Sequence, residues 1–356
     1  DIDAVDLTVG TIADVTYDRA AHQLSPSVTG VAPVLKDTDY TIAWDTSDFT
    51  NVKKVTVTVT GIGNYKGTYT ATYDILPKNL ADSDVTVTGV NASYDYTGSQ
   101  ITPVPTATYK SVALVTTTEY TVSYGANTEV STGGSVTLTG TGNYTGSKTV
   151  SFTIAPVDLT VGTLSDVTYD RAAHKLTPSI TGVGGAAVTE GTDYNIAWST
   201  TDFTNVKKVT VTVTGAGNYK GTYTATYEIL PKNIADSDVT VTGIDAAYDF
   251  TGAQIKPVPA VTYDSVALVT DTEYTVSYGE NVQVSTGGSV VLTGTGNYTG
   301  SKTVTFDIDA VDLTVGTIAD VTYDGSEHKL APSITGVGGA AVTKDTDYTI
   351  AWDTSD

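Results

Sequence analysis

Valine and threonine alternate without interruption from Val55 to Thr60, so the valines share one side of an extended chain and the threonines the other. A period of two over six residues predicts a half-buried β-strand. A second alternating run follows, with Tyr69, Ala71, Tyr73 and Ile75 on one face. Between them lies Gly61-Ile-Gly-Asn-Tyr-Lys-Gly67, rich in residues that accept turn geometry, and the two runs predict a hairpin. The arrangement recurs with Val136 and Leu138 before a turn and Val150, Phe152 and Ile154 after it. Shorter apolar runs at 7–9, 15–17, 24–28 and 40–44 are separated by Gly, Pro and Asp clusters. Six or seven short strands about ten residues apart, with no sustained helical period, predict an all-β antiparallel sandwich with almost no helix.

The pattern is copied along the chain. Asp6-Leu-Thr-Val-Gly10 returns at Asp158 and Asp312, and Tyr40, Tyr194 and Tyr348 stand 154 residues apart. A fainter echo lies inside each long unit: Tyr17-Asp18 is answered by Tyr94-Asp95, and Gly63-Asn64-Tyr65 by Gly142-Asn143-Tyr144. The chain reads as modules of about 77 residues, a size that folds around its own core. The expected segments are 1–77 (A1), 78–154 (B1), 155–231 (A2), 232–308 (B2) and a partial fifth, 309–356, of type A.

Composition narrows the function classes. The chain has 18 basic and 40 acidic residues, a net charge of −22, and no basic cluster to neutralise phosphates, which argues against nucleic acid as a partner. No run of about 18 apolar residues is present to insert into a membrane. With neither cysteine nor methionine, disulfides and thiolate metal sites are impossible, and a chain without oxidisable sulfur suits long exposure outside a cell.

One combination of motifs is more specific. Thr322-Tyr-Asp-Gly-Ser-Glu-His-Lys-Leu330, then Thr346-Asp-Tyr-Thr-Ile350, and in complete copies Val-Thr-Val-Thr-Gly-x-Gly-Asn-Tyr-x-Gly with a closing Ile-x-Pro-Lys, resembles the tandem bacterial Ig-like repeats of Gram-positive surface proteins, of the MBG or YDG type. The resemblance covers the whole chain. It implies an extracellular, cell-surface stalk or adhesin and brings no catalytic residues with it. The B repeats depart from it at Tyr96 and Phe250, where the pattern favours glycine.

Several residues invite a chemical reading. The run Gly61-x-Gly63-x-x-x-Gly67 leads into a strand rather than a helix, so it reads as a hairpin turn and not a phosphate cradle. His22, His174 and His328 occupy one equivalent position without a second histidine nearby, which favours a hydrogen-bonded surface histidine over a ligand or catalyst. Trp44, Trp198 and Trp352, with Tyr124 and Tyr278 in the B repeats, are in phase with core positions, although an exposed ring there would stack on a sugar. Asp82-Ser-Asp84 and Asp236-Ser-Asp238 follow the A to B junctions, and Asp37-Thr-Asp39 and Asp345-Thr-Asp347 recur in A; such pairs either share a calcium ion or form solvated acidic loops. Gly191 replaces the first Asp in the middle copy. Calcium at Asp82, Asp84, Asp236 and Asp238 is the only cofactor or metal expectation, and no catalytic site is expected.

Sequons stand at Asn91, Asn143 and Asn297. The A copies keep the turn asparagine (Asn64, Asn218) without the sequon, so turn geometry explains it better than glycosylation. An isopeptide bond from Lys54 or Lys66 lacks a lysine counterpart in B.

These readings converge on a structural segment of an extracellular fibre or stalk, whose partners are its neighbouring modules and other copies of the same chain; the alternative is an adhesin binding glycan or a host protein. Four modules with strands of about eight residues would project on the order of 140 Å. The partial fifth module is expected either to be a window on a longer repetitive chain or to be completed by another chain, with Val321, Leu330, Ile334 and Ile350 buried against strands from outside this sequence.

Overall fold

The computed structural model describes residues 1–353, and the last three residues assigned to the fifth segment lie outside them. The chain is a tandem array of β-sandwich modules, and no α-helix occurs among the described residues. It forms two compact units. The first comprises Asp1–Val161, Ile180–Ile196 and Val213–Tyr223; the second comprises Gly162–Ser179, Ala197–Thr212 and the chain from Thr224 onward. The third repeat contributes strands to both.

In the first unit, A1 contains β1 (Val5–Asp6), β2 (Thr8–Val9), β3 (Val15–Thr16), β4 (Val28–Thr29), β5 (Tyr40–Trp44), β6 (Lys53–Gly61), β7 (Tyr65–Lys66) and β8 (Thr68–Leu76). The predicted hairpin is β6 against β8, with Val55 opposite Tyr73 and Val57 opposite Ala71. Val55, Val57 and Val59 are wholly buried, while Thr68, Thr70 and Thr72 face solvent. The sheet order is β3-β8-β6-β5, and β2-β4 and β1-β7 form separate ladders.

Two pairings exceed what alternation predicts. β1 runs parallel to β7, and β3 runs parallel to β8. Gly67, at φ +93, separates β7 from β8 and turns one stretch of chain from one ladder into the other; a Cβ there would strike the Tyr69 hydroxyl at 2.7 Å. The short run 24–28 yields only β4 at its end, because the Leu24 carbonyl is taken by the Trp44 indole N–H at 2.9 Å instead of a neighbouring strand.

B1 contains β9 (Lys78–Asn79), β10 (Val85–Thr88), β11 (Ser93–Asp95), β12 (Thr106–Tyr109), β13 (Val112–Ala113), β14 (Tyr120–Tyr124), β15 (Gly134–Gly140), β16 (Tyr144–Thr145) and β17 (Ser147–Ala155). Its four-stranded sheet runs β11-β17-β15-β14 and its three-stranded sheet β10-β12-β13. Parallel pairs again join β9 to β16 and β11 to β17. The buried residues of A1 and B1 form one continuous cluster from Tyr17, Val57 and Tyr73 through Leu80 and Tyr109 to Tyr144 and Phe152.

The later repeats copy these ladders. Val157–Asp158 is parallel to Tyr219–Lys220 in the first unit, and Val167–Thr168 to the end of Thr222–Leu230 in the second. The B2 strand Ala247–Asp249 pairs parallel with the end of Ser301–Asp309. Short 3₁₀ turns occupy Val183–Gly185 and Val337–Gly339. Beyond Asp309 the described residues form a two-stranded ladder, Thr314–Val315 with Ile334–Thr335, and isolated bridges between Thr335 and Ala341 and between Lys344 and Tyr348. Val321 there is exposed, and Leu330, Ile334 and Ile350 are half-buried.

Candidate functional site at the joints between repeats

The densest polar chemistry lies where one repeat meets the next. At the A1–B1 joint, Arg19 donates from Nε and Nη2 to the Tyr144 hydroxyl at 3.2 and 3.1 Å, and its Nη2 lies 3.6 Å from Glu119. Tyr144 is buried, with its ring edge-on to Tyr17 at 5.5 Å and to Tyr109 at 6.3 Å. Arg19 sits at φ +70, where the fifth segment has Gly325 at φ +83. Left-handed backbone costs a non-glycine residue about 1 kcal/mol, and the arginine's contacts across the joint offset that cost.

A second contact is made by the turn asparagine. Asn143 Oδ1 accepts the Val52 amide at 2.8 Å, and its Nδ2 donates to Asn51 Oδ1 at 2.8 Å. Asn51 is held ready for this: its own Nδ2 donates to Asp48 Oδ2 at 2.9 Å, and Asp48 also accepts the Thr50 and Asn51 amides. The side-chain and backbone bonds from Asn51, with that from Thr50, hold the Asp48 carboxyl well below the usual range. Turn geometry is therefore not what places the asparagine. The left-handed residues of the B1 turn are Gly142 and Gly146, and Asn143 acts through its side chain, about 90 residues away in sequence.

The same bridge closes the next two joints, B1–A2 and A2–B2. Asn218 Oδ1 accepts the Val130 amide of B1 at 2.9 Å while its Nδ2 donates to Glu129 at 2.6 Å. Asn297 accepts the Val206 amide at 2.9 Å and donates to Asn205 at 2.8 Å. In B1 the receiving loop is pinned by Asn127, which is 1% exposed and bonds Ile101 and Ser135 on both sides of its amide. Aromatic edges accompany the bridges: Tyr96 on Tyr219 at 5.6 Å, and Tyr169 on Tyr298 at 5.5 Å.

No family model and no curated protein matches this chain. Solved structures do. Among them are a protocadherin gammaB7 EC3-6 cis-dimer (9% identity, 87% of this chain and 99% of that one, TM-score 0.21), Drosophila N-cadherin EC1-4 (10%, 85% and 100%, 0.20) and Sidekick-1 immunoglobulin domains 1-5 (7%, 88% and 81%, 0.22). At such scores these likenesses carry nothing about partners or activity.

The remaining sequence candidates find specific places. Asp82 and Asp84 flank one ammonium, Lys78 Nζ, at 2.8 and 2.9 Å, and Asp236 and Asp238 flank Lys232, each at 2.8 Å. Desolvation favours a neutral lysine here, but the hydrogen bonds to the paired carboxylates outweigh it and raise both lysines above their ordinary range. Asp37, Gly191 and Asp345 all lie at positive φ, which explains why glycine substitutes for aspartate there. Their neighbours Asp39, Asp193 and Asp347 accept the amides of Leu35, Thr189 and Thr343.

Each histidine bonds the aspartate four residues before it, at 2.7–2.8 Å. Trp44 and Trp198 are half-buried beside Phe49 and Phe203 and spend their indole N–H on Leu24 and Leu176 carbonyls; Trp352 is 40% exposed. Tyr124 and Tyr278 donate to the Pro103 and Pro257 carbonyls. Asn91 is exposed, as are Lys54 and Lys66. Sequence reading missed the joint set of Arg19, Tyr144, Asp48, Asn51 and Asn127. The only signal was the persistence of the turn asparagine where the sequon is lost.

Proposed function

We propose that this chain is a structural segment of an extracellular fibre or cell-surface stalk, built like the bacterial MBG or YDG-type Ig-like repeats, that supplies length and spacing and performs no catalysis. The observation that carries the reading is how little chain separates consecutive repeats. Pro77 alone stands between β8 and β9, Pro156 alone between β17 and Val157–Asp158, and Pro231 alone between Thr222–Leu230 and Lys232–Asn233. Proline fixes φ and removes a donor, so each link is short and stiff, and the asparagine bridge limits rotation about it. The acidic surface suits a soluble projecting element in contact with its own neighbouring modules and other copies in a fibre.

The adhesin reading requires aromatic side chains free to stack on a sugar. In the complete repeats Trp44 and Trp198 are engaged in the core, which favours the spacer. Small-angle scattering on the whole chain and a glycan array test the choice. A maximum dimension on the order of 140 Å or more without glycan binding is expected; a collapsed, flexible profile or specific glycan capture overturns the spacer reading.

A further inference from the structure

We propose that each of the four complete repeats is a load-bearing clamp, in which parallel strands from its two ends resist being pulled apart along the chain. The use of such a clamp rests on the spacer reading, since only a tethered segment is pulled from its ends. The geometry itself is independent of it. In A1 the chain enters through β1 and leaves through β8. β1 pairs in parallel with β7, Val5 opposite Tyr65 and Asp6 opposite Lys66, and β7 continues through Gly67 into β8. β3 pairs in parallel with the last residues of β8, Val15 opposite Ile75 and Thr16 opposite Leu76, with the Tyr17 amide bonding the Leu76 carbonyl at 2.8 Å.

When two parallel strands are drawn in opposite directions by their outer ends, they must slide along each other. Every hydrogen bond in the patch is then stretched at once. An antiparallel pair drawn apart across the sheet gives way one bond at a time. The antiparallel β6–β8 hairpin of A1 lies behind the parallel patches and carries no load until they fail.

The device is repeated with the fold. B1 has β9 on β16 and β11 on β17, the latter flanked by Thr153 N to Ala92 O and Tyr96 N to Ala155 O, both 2.9 Å. Val157–Asp158 on Tyr219–Lys220 and Val167–Thr168 on Ile229 and Leu230 serve A2, and Lys232–Asn233 on Tyr298–Thr299 and Ala247–Asp249 on Ser301–Asp309 serve B2. The single prolines at the joints pass force from one clamp to the next without slack. The exit patches differ in length: two register pairs in A1 and A2, three in B1 and B2. A repeats are therefore the weaker links.

Single-molecule force spectroscopy tests this on the full 356-residue chain, which has no cysteine of its own to compete with introduced handles. In one arm the handles are at the two ends. In the other they are on Ala43→Cys and Thr70→Cys, exposed sites two strands apart in the A1 sheet that pull across the hydrogen bonds.

End-to-end pulling is expected to give one rupture per complete repeat, each releasing on the order of 250 Å of chain. Its forces should exceed those of the cross-sheet arm by roughly two- to three-fold, because two or three bonds break together rather than in turn. A repeats should yield before B repeats. Equal or lower end-to-end forces, or B yielding before A, overturn the clamp. Glycan capture or a collapsed scattering profile with high end-to-end forces would remove the spacer reading and leave the clamp standing, so the two failures are distinguishable.

Discussion

The A1–B1 and A2–B2 joints are built from the same hydrogen-bonded parts but differ in their ion pairs: among the described residues Arg19 lies 3.6 Å from Glu119 only in the first, and one exposed residue beside the Asp18 position reverses its charge. Both place an arginine on a buried tyrosine hydroxyl and an asparagine across two backbone loops. In the first, Lys110 reaches over to Asp18, bonding its carbonyl at 2.9 Å and its carboxylate at 3.0 Å. In the second the equivalent residue is Asp264, which brings a like charge towards Asp170. The nearest cation over the B-repeat tyrosine is the same in both, Lys78 at 5.1 Å from the Tyr109 ring and Lys232 at 5.3 Å from the Tyr263 ring, and only the second one changes, from Lys110 at 5.7 Å to Arg171 at 5.8 Å. A charge reversal leaves the asparagine and arginine geometry within 0.1 Å. The directed hydrogen bonds and the buried ring set the joint, and the exposed ion pair is an addition.

That comparison fails if the shared parts contribute unequally at the two joints. The largest effect is expected from Tyr144→Ala, which empties a site for a residue 2% exposed and should cost roughly 3–5 kcal/mol in denaturant unfolding. Tyr298→Ala should match it. Tyr144→Phe removes only the hydroxyl and should cost about 1 kcal/mol. Next come Asn143→Ala and Asn297→Ala, each stranding a valine amide; a loss of about 1 kcal/mol should appear as a roughly five-fold faster hydrogen exchange at Val52 and Val206. A large response at one joint and none at the other would refute their equivalence.

The smallest effect belongs to the residue that differs. Lys110→Asp should cost less than about 1 kcal/mol, the range of an exposed pair, and Asp264→Lys should return a similar amount. Acid titration separates the two joints. Bonds from the Ala20 amide and then Lys110 hold the Asp18 carboxyl at about 2, below its ordinary 3.8. A depressed carboxylate contributes its stability above its ordinary value and loses it as pH falls through the folded one, here between about 4 and 2. Carboxyl carbon NMR should find Asp170 titrating above Asp18, and Lys110→Asp should close the gap. Identical titrations in the unmodified chain would show that Lys110 does not act on Asp18.

Much of this architecture was legible in the alternation. Val55, Val57 and Val59 announce their burial because a period of two over six residues admits one orientation against a core. The parallel patches were not legible. Val15–Thr16 or Val5–Asp6 is too short to show any period, and its partner lies about 60 residues away. The joints were hidden for a related reason: Asn143 and Asn64 look alike in sequence, and what distinguishes the bridge is the loop of another repeat against which it closes. The acidic pairs showed their position but not their partner, since Lys78 precedes them within an ordinary strand exit.

The keying of the joints bears on how such a gene changes length. Glu119 stands beside Arg19 across the A1–B1 joint, while the same position in an A repeat is the shorter Asp39 or Asp193; the loop receiving Asn218 offers Glu129 where A repeats offer Asn51 and Asn205. An unequal recombination that deletes or adds an A–B pair rejoins matched surfaces and leaves every interface as it was. One that removes a single repeat sets A against A or B against B, and the A–A joint would offer the arginine an aspartate one methylene shorter than Glu119. Copy number is therefore expected to change in steps of two, so that projected length would vary by whole A–B pairs.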